Sequence, residues 1–154
     1  TSNNHIAHNN LGVALNKQGH TEEAIEHFLQ VLRFRPDNVK VHNDLGVALS
    51  KQGRIEEAVE HFLMALQIRP NFAKAHNNLG NTLSQQGRIE EAVKHYLMAL
   101  RIKPDDGEVH NNLGVALCRK GNIEGGIAHF RQALWINSDN IRAKINLKKA
   151  LMMQ

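Results

Sequence analysis

Small and apolar residues recur along this chain with a helical rhythm that restarts every 34 residues. The string His-Asn-x-Leu-Gly stands at residues 8–12, 42–46, 76–80 and 110–114. The repeats run 5–38, 39–72, 73–106 and 107–140, and residues 141–154 begin a fifth. Positions are numbered 1–34 within each repeat. Positions 4, 7, 8 and 11, which are His42, Leu45, Gly46 and Leu49 in the second repeat, share one face of a helix. Glycine recurs at position 15 (Gly19, Gly53, Gly87, Gly121), where a helix end favours a left-handed residue. A second helix follows, with Ala58, Phe62 and Ala65 at positions 20, 24 and 27. Acidic pairs open it (Glu22/Glu23, Glu56/Glu57, Glu90/Glu91) and basic residues close it, in keeping with the helix dipole. Pro36, Pro70 and Pro104 stop it, and the Asp or Asn that follows is expected to cap the next helix. Each repeat therefore predicts two helices, and no strand pattern occurs anywhere.

These residues carry a family likeness. Leu-Gly at positions 7 and 8, a large residue at 11, Ala at 20, an aromatic ring at 24, Ala at 27 and Pro at 32 resemble the tetratricopeptide repeat. Four copies in phase at 34 residues make the likeness specific. It implies an all-α fold: a right-handed α-solenoid of four helix-turn-helix repeats forming one array over 1–154, with 141–154 as a C-terminal capping helix. Lys144 and Lys148 stand in that last helix where His and Gly stand elsewhere, which suits a solubilising cap. The chain opens almost directly in phase, with no solubilising helix ahead of the first repeat, and Thr1 and Ser2 are assigned no role. The sequence departs from the family pattern at position 4, where His replaces the usual Trp. In the fourth repeat Gly126 replaces Ala at position 20 and Ser138 replaces Pro at position 32. Gly125 and Gly126 cost about 1 kcal/mol each against Ala inside a helix, so that helix is expected to be the least stable.

Stacked first helices would leave a stripe at positions 2, 5, 6, 9, 12 and 13, roughly opposite the core face, aligned along a concave surface. Positions 5 and 6 read Asn9-Asn10, Asn43-Asp44, Asn77-Asn78 and Asn111-Asn112. Asparagine is a poor helix-interior residue, and its amide both donates and accepts. A ladder of amides could pair with the backbone of an extended peptide whatever its side chains. Lys40, Lys74 and Arg142 at position 2, and Lys17, Lys51 and Arg119 at position 13, flank the ladder with more cations than anions, and Asn81 adds an amide at position 9. A peptide with some acidic residues is the expected ligand. Changing Asn77 and Asn78 together to alanine is expected to weaken such binding and leave folding intact. The ladder is similar to that in the repeat arm of O-linked N-acetylglucosamine transferases. By that likeness its rungs are Asn10, Asn78, Asn112 and Asn146, and Asp44 interrupts them because an ionised carboxylate cannot donate. The chaperone-binding type of tetratricopeptide domain is a poor match. Its carboxylate clamp needs Lys at position 5, where this chain has only Asn.

Composition changes little of this. Of 154 residues, 42% are hydrophobic and 22% charged, which excludes a disordered chain, and no apolar run approaches the ~18 residues of a membrane span. One cysteine excludes a disulfide framework and fits cytoplasm or periplasm alike. The formal charge of +4 lies wholly in 141–154, as Arg142, Lys144, Lys148 and Lys149, because residues 1–140 hold 15 basic and 15 acidic side chains. Nucleic acid is therefore not expected as a partner. Eight of ten histidines are periodic: those at position 4 predict neutral, hydrogen-bonded packing, those at position 23 fall on the edge of the second helix, and no metal site is expected. Met64 and Met98 read as core or interface filler, and Trp135 is expected to pack under the final helix. Cys118 at position 12 faces the groove but belongs to no nucleophile motif. No cofactor, metal or catalytic residue is expected.

The function these features predict is a non-catalytic protein-interaction module that binds an extended peptide in an Asn-lined groove. Two other readings stay open: a substrate-recruiting arm of a larger, glycosyltransferase-like enzyme, and an architectural unit that associates head to tail.

Overall fold

The computed structural model describes residues 3–153, so Thr1, Ser2 and Gln154 lie outside the described residues. Within that range there are nine helices and no strand. The first helices of the repeats are α1 (Asn3–Gln18), α3 (Val39–Lys51), α5 (Ala73–Gln85) and α7 (Gly107–Arg119). The second helices are α2 (Thr21–Phe34), α4 (Ile55–Ile68), α6 (Ile89–Ile102) and α8 (Ile123–Ile136), and α9 (Ile141–Leu151) closes the series. This is the expected all-α repeat architecture of paired helices with a final single helix.

Local chemistry sets the boundaries. Gly19, Gly53, Gly87 and Gly121 all have φ between +76° and +91°, a conformation that a side chain strains. The side chains of Asn38, Asp106 and Asn140 accept hydrogen bonds from the backbone N–H of Val41, Val109 and Ala143, and so cap α3, α7 and α9. The second helices α2, α4 and α6 lack a side-chain cap. Their acidic first turns face the helix dipole instead, and Arg54 and Arg88 each hold a glutamate three residues on through two hydrogen bonds of 2.6–2.7 Å.

The described residues gather into two compact units, Thr1–Asn78 and Leu79–Gln154, with the boundary inside α5. In the first unit Phe28 and Phe62 are buried, as are Leu45, Leu49 and Val41. In the second unit Tyr96 and Phe130 are buried beside Leu79, Leu83 and Leu113. Each ring lies flat on a glycine of its own repeat. A methyl group added to Gly12, Gly46, Gly80 or Gly114 would stand 2.6–2.8 Å from a ring carbon of Phe28, Phe62, Tyr96 or Phe130. Position 8 is therefore glycine because the two helices of a repeat meet there with an aromatic ring between them. The small residues at positions 3 and 10 are buried from the second repeat onward, for example Val41, Ala48, Val109 and Ala116, whereas Ala7 and Ala14 of α1 are exposed.

The irregular fourth repeat carries its own compensation. A methyl group at Gly126 would lie 2.2 Å from Cys118 Sγ, so the thiol occupies the place that alanine fills in the other repeats. The Asn122 side chain accepts from Gly125 N–H at 2.9 Å and gives α8 the cap that its counterparts lack. A cap contributes about 1 kcal/mol, which offsets one of the two glycines. Two sequence expectations fail at the outer surface. Trp135 is 78% exposed rather than packed under α9, and Met64 and Met98, at 50% and 37% exposed, are not core, which leaves the interface half of that expectation untouched. Positions 26 and 29 lie on the solvent side of the second helices, and the repeat pattern there, Gln67 and Arg101 at position 29, is polar for that reason.

Candidate functional site

The amide-bearing positions of the first helices divide into two layers. Asn43, Asn77 and Asn111 at position 5 are buried, with 0%, 9% and 6% of their surface exposed. Asp44, Asn78, Asn112 and Asn146 at position 6 are half-buried, and Asn10 is exposed. Asn78 Nδ2 donates to Asn43 Oδ1 at 2.9 Å, and Asn146 Nδ2 donates to Asn111 Oδ1 at 2.9 Å. Asn43 Nδ2 in turn donates to Asp44 Oδ1 at 3.0 Å. The rung is thus a bond from position 6 of one repeat to position 5 of the repeat before it. The lower amides hold first helices together, and the upper ones form the accessible surface. Alanine at Asn77 would reach packed structure, so the paired change of Asn77 and Asn78 does not separate binding from folding.

One rung is missing. Asn9 Oδ1 is buried and has no hydrogen-bond partner among the described residues. The residue that should donate to it is Asp44, whose ionised carboxylate only accepts. The departure from the ladder noted in the sequence therefore leaves a specific vacant acceptor in the first unit.

The flanking cations also divide. Lys51 Nζ donates to the Asn16 backbone carbonyl at 3.1 Å and to its Oδ1 at 3.0 Å. The Arg119 guanidinium donates to Ser84 O at 2.9 Å and to Ser84 Oγ at 3.0 Å. Two of the three position-13 cations, Lys51 and Arg119, thus secure the last turn of the preceding first helix, whose carbonyls have no partners within that helix. Lys17, Lys40, Lys74 and Arg142 are exposed. Asn81 at position 9 accepts from Tyr96 O–H at 2.8 Å, and burial pushes that phenol up to about 12, so it remains a donor. Sequence reasoning missed these cross-repeat bonds. Their common separation of 35 residues, one repeat plus one residue, was the available signal.

The periodic histidines form rows of pairs. His8 and His27, His42 and His61, and His110 and His129 meet Nδ1 to Nδ1 at 2.7, 3.0 and 2.9 Å. Nε2 of His42, His76 and His110 lies 2.8–3.0 Å from the carbonyls of Pro36, Pro70 and Pro104. A carbonyl only accepts, so those Nε2 atoms carry the proton. The Nδ1 of a neutral His42 or His110 then accepts from its partner ring. Burial, and then the neighbouring ring, hold His61 and His129 below the usual imidazole range, and burial lowers His76. The folded protein therefore binds fewer protons than the unfolded chain in this range, and its stability falls as pH drops below about 6.5. The melting temperature is expected to be lower at pH ~5.5 than at pH ~7.5, and a flat profile would contradict this account. Among the described residues no group of three His, Cys, Asp or Glu side chains could hold a metal ion. No helix there is long and apolar enough to cross a membrane.

The comparisons agree with this architecture. No protein of curated function matches the sequence. A solved structure of MamA superimposes with a TM-score of 0.85 at 19% identity, over 99% of this chain and 83% of that one. The structure of pilF from Pseudomonas aeruginosa gives 0.92 at 24% identity, over 99% of this chain and 69% of that one. A chain of the APC/C hetero-tetramer Cut9-Hcn1 gives 0.89 at 23% identity, over 96% of this chain and 30% of that one. At these identities the likeness is one of fold. The TPR repeat profile matches residues 14–53, 49–87 and 80–121. With more than two-thirds of its length matched, over residues 14–121, the chain belongs to the TPR repeat family.

Proposed function

We propose that the chain is a non-catalytic protein-interaction module whose four repeats serve as one array and take an extended peptide along their first helices. The observation that carries this reading is the accessible layer of position-6 amides, with Asn10 and Asn78 in the first unit and Asn112 and Asn146 in the second, beside exposed cations such as Lys40, Lys74 and Arg142. Amides at fixed spacing pair with peptide backbone and leave side chains unread, while the cations favour acidic segments. The hetero-tetramer in which one of the similar structures takes part supports an interaction role. The likeness to the transferase repeat arm rests on the same amides, and an arm that recruits substrates for an enzyme would use the same face.

The test is a peptide array followed by affinity measurement on the sequences it retains. Asn10→Ala, at the exposed position-6 amide, is expected to weaken them about threefold, at roughly 0.5–1 kcal/mol for a lost hydrogen bond. The unfolding temperature should change by only a few degrees. Peptides bound equally well by the variant would remove the amide reading. Mass that rises with concentration in light scattering, with no peptide retained, would favour head-to-tail association instead.

A further inference from the structure

In the second unit α7, α8 and α9 line an open hollow of about 250 Å³. Val115, Cys118, Phe130, Ala150 and Met153 give it apolar walls. Its polar lining is Arg119, Lys149 and Asn146, with no acidic residue. The two cations are exposed, and no carboxylate among the described residues pairs with either: Arg119 is bonded to the neutral Ser84, and Lys149 has no ion pair. The Cys118 wall is placed by one departure of the fourth repeat, Gly126. Cys118 drops its sulfur into the notch left by Gly126, and burial raises its thiol above the usual range, which favours the neutral, protonated sulfur in that wall. The Phe130 ring is the floor, 2% exposed.

We propose that this cavity is the anchor site of the groove, taking one large apolar side chain of an extended peptide whose neighbouring residues are acidic. The inference rests on the groove reading above and specifies the ligand. A space below the ~300 Å³ of small-molecule pockets suits a single side chain such as leucine or methionine. A buried apolar anchor ringed by charge is the arrangement that concentrates binding energy in one residue. The two unpaired cations beside an apolar hole select carboxylates next to the anchor and disfavour basic flanks.

The experiment uses the full chain and fluorescence anisotropy with labelled peptides in a glycine–serine frame. Their centre is leucine or alanine, flanked by two aspartates or two lysines. The leucine peptide with aspartates is expected to bind about tenfold more tightly than either the alanine peptide or the lysine-flanked one. Val115→Phe, which fills the cavity, should erase the preference for leucine, and Lys149→Glu should erase the preference for aspartate. Met153→Ala, at a residue 63% exposed, gives a second cavity variant that leaves the fold intact and should weaken only the leucine peptide, about threefold. Equal binding of leucine and alanine peptides, both weakened by Asn10→Ala, would overturn the anchor and leave the groove standing. A leucine preference that survives Val115→Phe or Met153→Ala would also overturn it, as would equal binding of lysine-flanked peptides. If the leucine–aspartate peptide does not bind at all, the anchor falls, and peptides retained on the array decide the groove separately.

Discussion

Gly46→Ala is expected to destabilise the protein by about 2 kcal/mol, although alanine is the better helix former. On propensity alone the change should gain about 1 kcal/mol. The added methyl group, however, would lie 2.7–2.9 Å from three carbons of the Phe62 ring. That ring is 1% exposed and has nowhere to move. Overpacking of this kind costs roughly 1–3 kcal/mol or more, which outweighs the propensity gain. Urea denaturation of Gly46→Ala, Phe62→Leu and the double variant checks the cause. The smaller side chain makes room for the methyl group, so the double variant should be more stable than the sum of the single losses by about 1 kcal/mol. Additive losses would mean that the glycine is there for some other reason.

Asn43→Ala should cost about 2 kcal/mol, and Asp44→Asn, one residue on, should gain about 1 kcal/mol. Asn43 is fully buried, accepts from Asn78 and donates to Asp44. Its removal leaves polar partners unsatisfied at a half-buried seam. Asp44 stands where an amide would donate to Asn9 Oδ1, the buried oxygen left without a partner among the described residues. The second unit shows that asparagine fits this arrangement, because Asn111 donates to Asn112 Oδ1 at 3.5 Å and accepts from Asn146. An added net hydrogen bond contributes about 1 kcal/mol. Unfolding temperatures that move in opposite directions would support the rung, whereas a loss at Asp44→Asn would mean that the vacant oxygen is served in another way.

Much of the protein was legible without coordinates because the information is local. The 34-residue restart, the glycines at position 15 and the Asn and Asp caps name helix pairs and their ends, and each acts within a few residues of itself. Even the position-4 histidines read correctly as packed and hydrogen-bonded. The candidate site was legible only in part. Positions 5 and 6 differ by one residue and carry the same side chain, so periodicity assigns both to the groove. Their separation into buried Asn43 and half-buried Asn78 depends on how closely neighbouring first helices approach.

The same limit applies to the residues that break the pattern. Gly126 looks like a weakness until Cys118 Sγ is found in its place, and Trp135 looks like core until the second helix turns it to solvent. By itself the sequence determined which residues become helix and where each helix stops. Only the tertiary structure decided which amides are spent on the protein's own seams, which cations hold a helix end, and where an apolar hollow remains. Helix formation is governed by contacts within a turn or two, whereas burial is decided by atoms about 35 residues away, whose approach no local pattern encodes.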